Sequence, residues 1–267
     1  MMLKLEEEHW RALKLSADRD KRLVEIHAIA DQQLERIDSD MLTLGLLDSC
    51  EDVNFVRHDV AKNYSEGVLC TKFKAASFSR IENAIWRALA FIHAKTSWQH
   101  SILRVPIDKD TAFIRTKYAM PNSKRSLESG LILKNQMLGP RTARMVLRSI
   151  LDDDANLFDH DSIVWDQSVW YDAIWKQRQF MPSRIHIEKC DDETVVYKSL
   201  VRGNFFDFNL DDIENVSTMM NAVCFENPWK TELPLDTIAI STAPFEATFR
   251  TFQAALLDQL RKNADEV

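Results

Sequence analysis

Residues 131 to 151 read LILKNQMLGPRTARMVLRSIL. Two runs of alternating apolar and polar residues flank Leu138-Gly139-Pro140, and glycine and proline together punctuate a chain at a turn. The spacing predicts two paired strands joined by a short connection. Alternation in the second run places Thr142, Arg144, Val146, Arg148 and Ile150 on one side, and Ala143, Met145, Leu147 and Ser149 on the other. The second set is the more apolar, so it is expected to face the core. Arg144 and Arg148 then point outward, solvated or paired with carboxylates of neighbouring strands. With the face inverted by a bulge near Gly139, the same guanidinium groups would suit a carboxylate or phosphate headgroup, because each fork binds two oxygens at once.

The pattern extends in both directions from this pair. Residues 101 to 107, 111 to 120, 127 to 137, 141 to 151, 184 to 190 and 194 to 202 show period-two alternation between breaks rich in Pro, Gly, Asn or Asp. Upstream, Leu69, Thr71 and Phe73 alternate with lysines as a strand. Ser79 and Glu82 then have the spacing of a capping box, in which hydroxyl and carboxylate each satisfy an unpaired backbone N–H. The helix so started carries Ile81, Ile85, Leu89 and Ile92. Downstream, Leu210, Ile213, Val216, Met220 and Val223 predict a helix. After Pro244, Phe245, Phe249, Phe252, Leu256 and Leu260 form a long apolar stripe that must lie on the sheet. A strand, a helix, a series of antiparallel strands and a long terminal helix is the order of an α+β domain whose curved sheet is closed across its open face by that helix.

Residues 1 to 47 read as a separate amphipathic helical segment. Leu23, Ile26, Ala30, Leu34, Ile37, Met41 and Leu44 recur at intervals of three and four and form one stripe. A coiled coil making a homodimer through residues 23 to 44 is one reading. The other, favoured because only about three heptads follow Lys21, is a helix folded onto its own domain. Asp48 to Asp52 is a polar joint to the domain expected over residues 55 to 265.

Leu131 to Lys134, the run Arg144 to Ile150 followed by Asp152-Asp153, and Trp170 resemble the START-like, helix-grip proteins, most closely the diverged START-like family abundant in oomycetes. The resemblance covers roughly residues 55 to 265. It implies a hydrophobic cavity able to hold a lipid or another apolar molecule, and the leading expectation, joined to the aromatic-rich composition, is binding without catalysis. Relatives of this kind are often joined to a basic-zipper segment, but residues 1 to 47 lack a dense basic region, so DNA binding does not carry over.

Composition bounds the rest. The chain has 267 residues, 45% hydrophobic and 28% charged, with seven Trp and fourteen Phe, more large aromatics than surface decoration requires. Five glycines leave no phosphate-binding loop to find. A net charge of −7 opposes nucleic acid as a partner. No apolar run approaches the roughly 18 residues of a membrane span, so integral membrane association is not expected and the protein is placed inside the cell, in the cytoplasm. Cys50, Cys70, Cys190 and Cys224 are far apart and read as reduced thiols.

No cofactor is expected, and no metal. Asp152, Asp154 and Asn156 fit the start of a calcium loop, but Leu157 stands where its glycine is needed and Ile163 where its closing glutamate is, so a solvated loop is expected. Neither a His-x-His pair nor an H-E-x-x-H motif appears, and no residue announces a nucleophile. The densest aromatic segment holds Trp165, Trp170, Tyr171 and Trp175, with Trp170 and Tyr171 on opposite strand faces. Trp165, Trp170, Tyr171, Phe245, Phe249 and Phe252 are therefore the candidate ligand-binding residues, since apolar pockets are lined mainly by such side chains. Two competing readings are a regulatory protein with a filled core that assembles through its N-terminal helix and, further off, a cavity enzyme of the cyclase type.

Overall fold

The computed structural model of the protein describes residues 13–59, 64–74, 78–91, 100–119, 125–176 and 194–204, together with the helical positions Phe249, Arg250 and Ala254. The chain opens with β1 (Lys14–Leu15), α1 (Arg19–Glu35) and α2 (Ile37–Thr43), then β2 (Val53–Asp59), β3 (Tyr64–Lys74) and α3 (Phe78–Phe91). A series of strands follows: β4 (His100–Pro106), β5 (Thr111–Ala119), β6 (Ser126–Gly139), β7 (Thr142–Ile150), β8 (Asp152–Asp153), β9 (Ser162–Val164), β10 (Gln167–Lys176) and β11 (Thr194–Asn204). Among the described residues the main sheet has the order β2-β3-β11-β10-β7-β6-β5-β4, every neighbouring pair antiparallel, with β9 running parallel beside β6. The opening stretch forms the hairpin β6–β7, and its register shifts between Met137 and Gly139, at the turn the sequence marks.

Both faces of this sheet are covered. On one, here called the inner face, Leu131, Leu133, Ala143, Met145, Leu147, Tyr171, Val195 and Tyr197 pack with Phe78, Ile81, Ala84 and Ile85 of α3 and with Phe249. On the outer face, Ile132, Val146, Ile150, Trp170, Val196 and Leu200 pack with Ile26, Ile29, Ala30 and Leu34 of α1 and with Ile37 and Met41 of α2. The apolar side of β7 thus faces a core as expected, but the side bearing Arg144 and Arg148 is not solvated: the N-terminal helices cover it. The amphipathic stripe lies on the chain's own sheet, where burying each large aliphatic side chain contributes about 1.5 to 3 kcal/mol. Leu34, at 5% exposure, is one of the side chains so placed.

Local chemistry sets where these helices begin and end. Asp18 caps α1 by accepting from the Lys21 backbone N–H at 2.9 Å. The single predicted helix is broken at Arg36, so α2 starts anew with Asp38 and Asp40 in its first turn, where the helix dipole favours negative charge. Gly45, at φ 69°, ends it: the Gly45 N–H reaches the Leu42 carbonyl at 3.1 Å and the Leu46 N–H reaches that of Met41 at 2.8 Å, the Schellman pattern that needs a left-handed residue. The segment α3 begins at Phe78, so Ser79 lies inside the helix rather than capping it. Glu82 reaches across to the sheet and accepts from Asn135 Nδ2 at 2.6 Å. Residues 184 to 190, 210 to 223 and most of the stripe after Pro244 lie outside the described residues.

Candidate functional site

Alternation sorts the five central strands, β3, β6, β7, β10 and β11, by charge. Glu66, Lys72, Glu128, Lys134, Arg144, Arg148, Asp172, Lys198 and Arg202 all share the phase of the outer face, while no Asp, Glu, Lys or Arg occupies an inner-face position of these strands. The inner face is apolar with a neutral polar patch. Tyr171 stands opposite Ser199 in register and Tyr197 opposite Thr71, which brings four hydroxyl side chains from three adjacent strands together. The Tyr171 and Tyr197 rings stack with centroids 5.9 Å apart. Both are buried, and that burial pushes each phenol well above its ordinary pKa, so both are neutral across the physiological range.

Phe249 lies over the same face, at 2% exposure. Its ring rests against Gly67 of β3: a Cβ at that position would stand 2.7 Å from two ring carbons, so only glycine leaves room. Gly67 is therefore the seat on which a helical residue from the far end of the chain closes over the inner face. A glycine inside a run of strand residues is the sequence signal for such a close approach, and nothing local to residue 67 tells which ring will fill it.

The structure brings together only part of the expected site. Tyr171 and Phe249 share the inner core. Trp170 does not join them, since alternation turns it to the outer face, where it is fully buried and donates Nε1–H to Asp40 Oδ2 of α2 at 3.0 Å. Trp165 forms a small separate cluster with Leu127 and Ile163. Phe245 and Phe252 lie outside the described residues. The sequence reading missed Thr71, Tyr197, Ser199 and Gly67, none of which stands out until the registers place them side by side.

The outer face is a different environment, in which charges are paired. Arg144 donates from Nε to Asp172 Oδ1 at 3.1 Å and grips Asp38 of α2 with its other nitrogens. Arg202 bonds Glu66 at 2.6 Å and Asp40 at 2.8 Å, and Arg148 bonds Asp166 and the Gln167 carbonyl. Lys198, 1% exposed, donates Nζ–H to the carbonyls of Leu46 and Leu47 just beyond the Schellman turn. The pairing expected for Arg144 and Arg148 holds, but it includes the N-terminal helices as well as neighbouring strands.

The acidic run after β7 is likewise structural. Asp152 and Asp154 both pair with Lys14, and buried Asp153 takes two bonds from Arg22, at 2.5 and 2.8 Å, while β1 lies parallel to β8. Asp152 to Asp154 thus fasten the N-terminus, while the loop that follows them is largely exposed, as expected. Among the described residues, no group of three or more His, Cys, Asp or Glu is placed to hold a metal ion, and no helix is long and apolar enough to cross a membrane.

No family model matches the sequence, and no curated protein matches it. Solved structures do. Human StAR-related lipid transfer protein 5 is similar at 8% identity and a TM-score of 0.45, covering 88% of this chain and 98% of that one. A STAR-related lipid transfer protein from Xanthomonas axonopodis is similar at 9% identity and 0.41, covering 77% and 99%. The Zhui aromatase/cyclase from a Streptomyces species is similar at 13% and 0.36, covering 78% and 94%. With TM-scores of 0.36 to 0.45 these likenesses say nothing of what the chain binds. The described strands form a mostly antiparallel sheet with few helices, the arrangement that the START-like resemblance read from residues 131 to 170 implies.

Proposed function

We propose that the protein binds an apolar, lipid-like small molecule between the inner face of its sheet and a terminal helix running through Phe245, Phe249 and Phe252, and does so without converting it. The observation that supports this is the inner face itself: it is apolar, the polar groups on its central strands are uncharged, and the only described residue of the chain's far end that packs there, Phe249, is set down on a glycine. Ligand sites for apolar molecules have this composition, a hydrophobic lining with few polar groups to fix orientation. The segment 1–47 then serves as an outer cover for the helix-grip domain, 55–265.

A filled core is the second reading, favoured by the close seating of Phe249 on Gly67. A cyclase-type activity has one observation behind it, the pair of buried phenols, whose raised pKa suits a neutral donor and not a base.

Native mass spectrometry of the purified protein, joined to titration with a fluorescent sterol or fatty acyl probe, tests the reading. We expect a bound small molecule or saturable probe binding, weakened in Phe249→Ala. In a filled core the same truncation costs about 3 to 5 kcal/mol of stability, and no probe binds the wild type. That pair of results would reject ligand binding.

A further inference from the structure

Resting on the apolar-ligand reading, we infer that the molecule held on the inner face is uncharged and bears an alcohol or carbonyl oxygen, set against the hydroxyl patch of Thr71, Tyr171, Tyr197 and Ser199. The inference comes from where the sheet puts charge. Every charged residue of the central strands falls in the outer phase of the alternation and none in the inner one. An ionised carboxylate or a phosphate brought onto the inner face would leave water without meeting a cation on those strands, and an unpaired buried charge is far more costly than a hydrogen-bonded neutral group. Glu82, which α3 brings to this side, is an acidic residue that already holds Asn135, so it supplies no counter-charge for an anion.

The neutral patch offers the complementary chemistry. Tyr171 and Tyr197 come from adjacent strands, stack at 5.9 Å, and have Ser199 and Thr71 as their register partners. Each hydroxyl can donate or accept by rotation, so the patch can serve a hydroxyl or a carbonyl alike, and each phenol stays protonated because burial raises its pKa. Leu69, Met145, Leu147, Val169 and Val195 of the same core offer apolar contact to an alkyl or ring body. The combination selects against fatty-acid anions and phospholipid headgroups and for neutral, singly oxygenated apolar molecules.

The test uses a fluorescent fatty alcohol, the fatty acid of the same chain and fluorophore, and the matching lysophosphatidylcholine, titrated into the full chain at pH 8, where the acid is ionised. We expect the alcohol to bind at least about tenfold more tightly than the acid or the lysolipid. Tyr197→Phe should weaken the alcohol about three- to tenfold while leaving a hydrocarbon probe with the same fluorophore unchanged. Ser199→Ala gives the same reading should the phenol also prove necessary for folding. Equal or tighter binding of the acid or the lysolipid overturns the inference and leaves the apolar-ligand reading standing. Alcohol binding that neither variant alters overturns the assignment of the patch. Failure of every probe, hydrocarbon included, overturns the apolar-ligand reading and this inference with it.

Discussion

The two faces of the central strands, built from alternate residues of the same segments, carry opposite chemistry. Outside, Arg144, Asp172, Lys198, Arg202 and Glu66 interleave with Val146, Trp170, Val196 and Leu200 under α1 and α2, so apolar burial and a charged network share one interface. Inside, the central strands carry uncharged polar groups in an apolar layer under α3 and Phe249. The contrast bears on what each face can tolerate. A network such as Asp38–Arg144–Asp172 fixes one geometry, because displacing any member strands a buried charge, whereas neutral apolar contact is non-directional and can be exchanged for a ligand. The outer face is the part that specifies how the N-terminus docks, and the inner face is the part on which the proposed ligand would rest.

The sharpest way to break this contrast is to put a charge under the N-terminal helices. Leu34→Glu places a carboxylate in the outer core, beside a network with its own acids, and should cost about 3 to 5 kcal/mol. If the segment packs only on its own sheet, a thermal melt will show a large drop while light scattering gives an unchanged mass. A wild type of doubled mass that becomes monomeric in the variant without a fall in melting temperature would show that residues 23 to 44 form an intermolecular seam.

An effect of intermediate size is expected on the inner face. Gly67→Ala sets a methyl group against the Phe249 ring and should cost about 1 to 3 kcal/mol as overpacking. Combined with Phe249→Ala, the alanine methyl no longer meets a ring, so the two changes should be strongly non-additive in a double-mutant cycle. Additive costs would mean that the ring does not rest on Gly67, and the closure of the sheet by this helix would have to be redrawn.

Much of this fold was legible in the residues. The alternation through Thr142 to Ile150 gives the strand and its two sides, and the stripe from Ile26 to Met41 gives helix. The break at Arg36 was not legible, since the apolar spacing runs on unbroken through Leu34, Ile37 and Met41. Nor was β2, whose sequence VNFVRHD lies at the sheet edge with both sides partly open, so no alternation of burial is imposed on it. The site was half legible. Tyr171 and Phe249 stand out as large aromatics in periodic segments, but Trp170 misleads by having the same aromatic character on the other face. The hydroxyl patch depends on pairing β3 with β11 and β11 with β10, and such registers between distant segments leave no mark in any one of them. The covering of Arg144 and Arg148 was hidden for a similar reason: arginines normally mark solvent, and only the fold shows Asp38 and Asp172 waiting for Arg144 and Asp166 for Arg148.

The smallest expected effect concerns acid, and it sets carboxylates of the outer face against one another. Burial pushes the Asp153 carboxyl up, but Arg22 and the backbone N–H groups of Asn156 and Ala155 outweigh it and leave the pKa below its ordinary 3.8. Glu128 behaves alike: burial raises it, while Ser162, Arg115 and Lys117 together bring it below 4.5. Groups lowered in the folded state contribute stability that is complete above their unfolded values and is lost as pH falls through the folded ones. Asp172 has the opposite sign. Burial raises it above 3.8 despite Arg144, so its charged form is a strain on the folded state at neutral pH, relieved as pH falls through the raised value. Between pH 6 and pH 3 the gain at Asp172 should therefore offset part of the loss at Asp153 and Glu128, and the melting temperature should decline gently. Asp172→Asn removes that offset, so its melting temperature should fall more steeply with acid than the wild type's over the same range. Parallel pH profiles for the two proteins would show that Arg144 holds Asp172 ionised at no cost, and that the outer face is a fully compensated network.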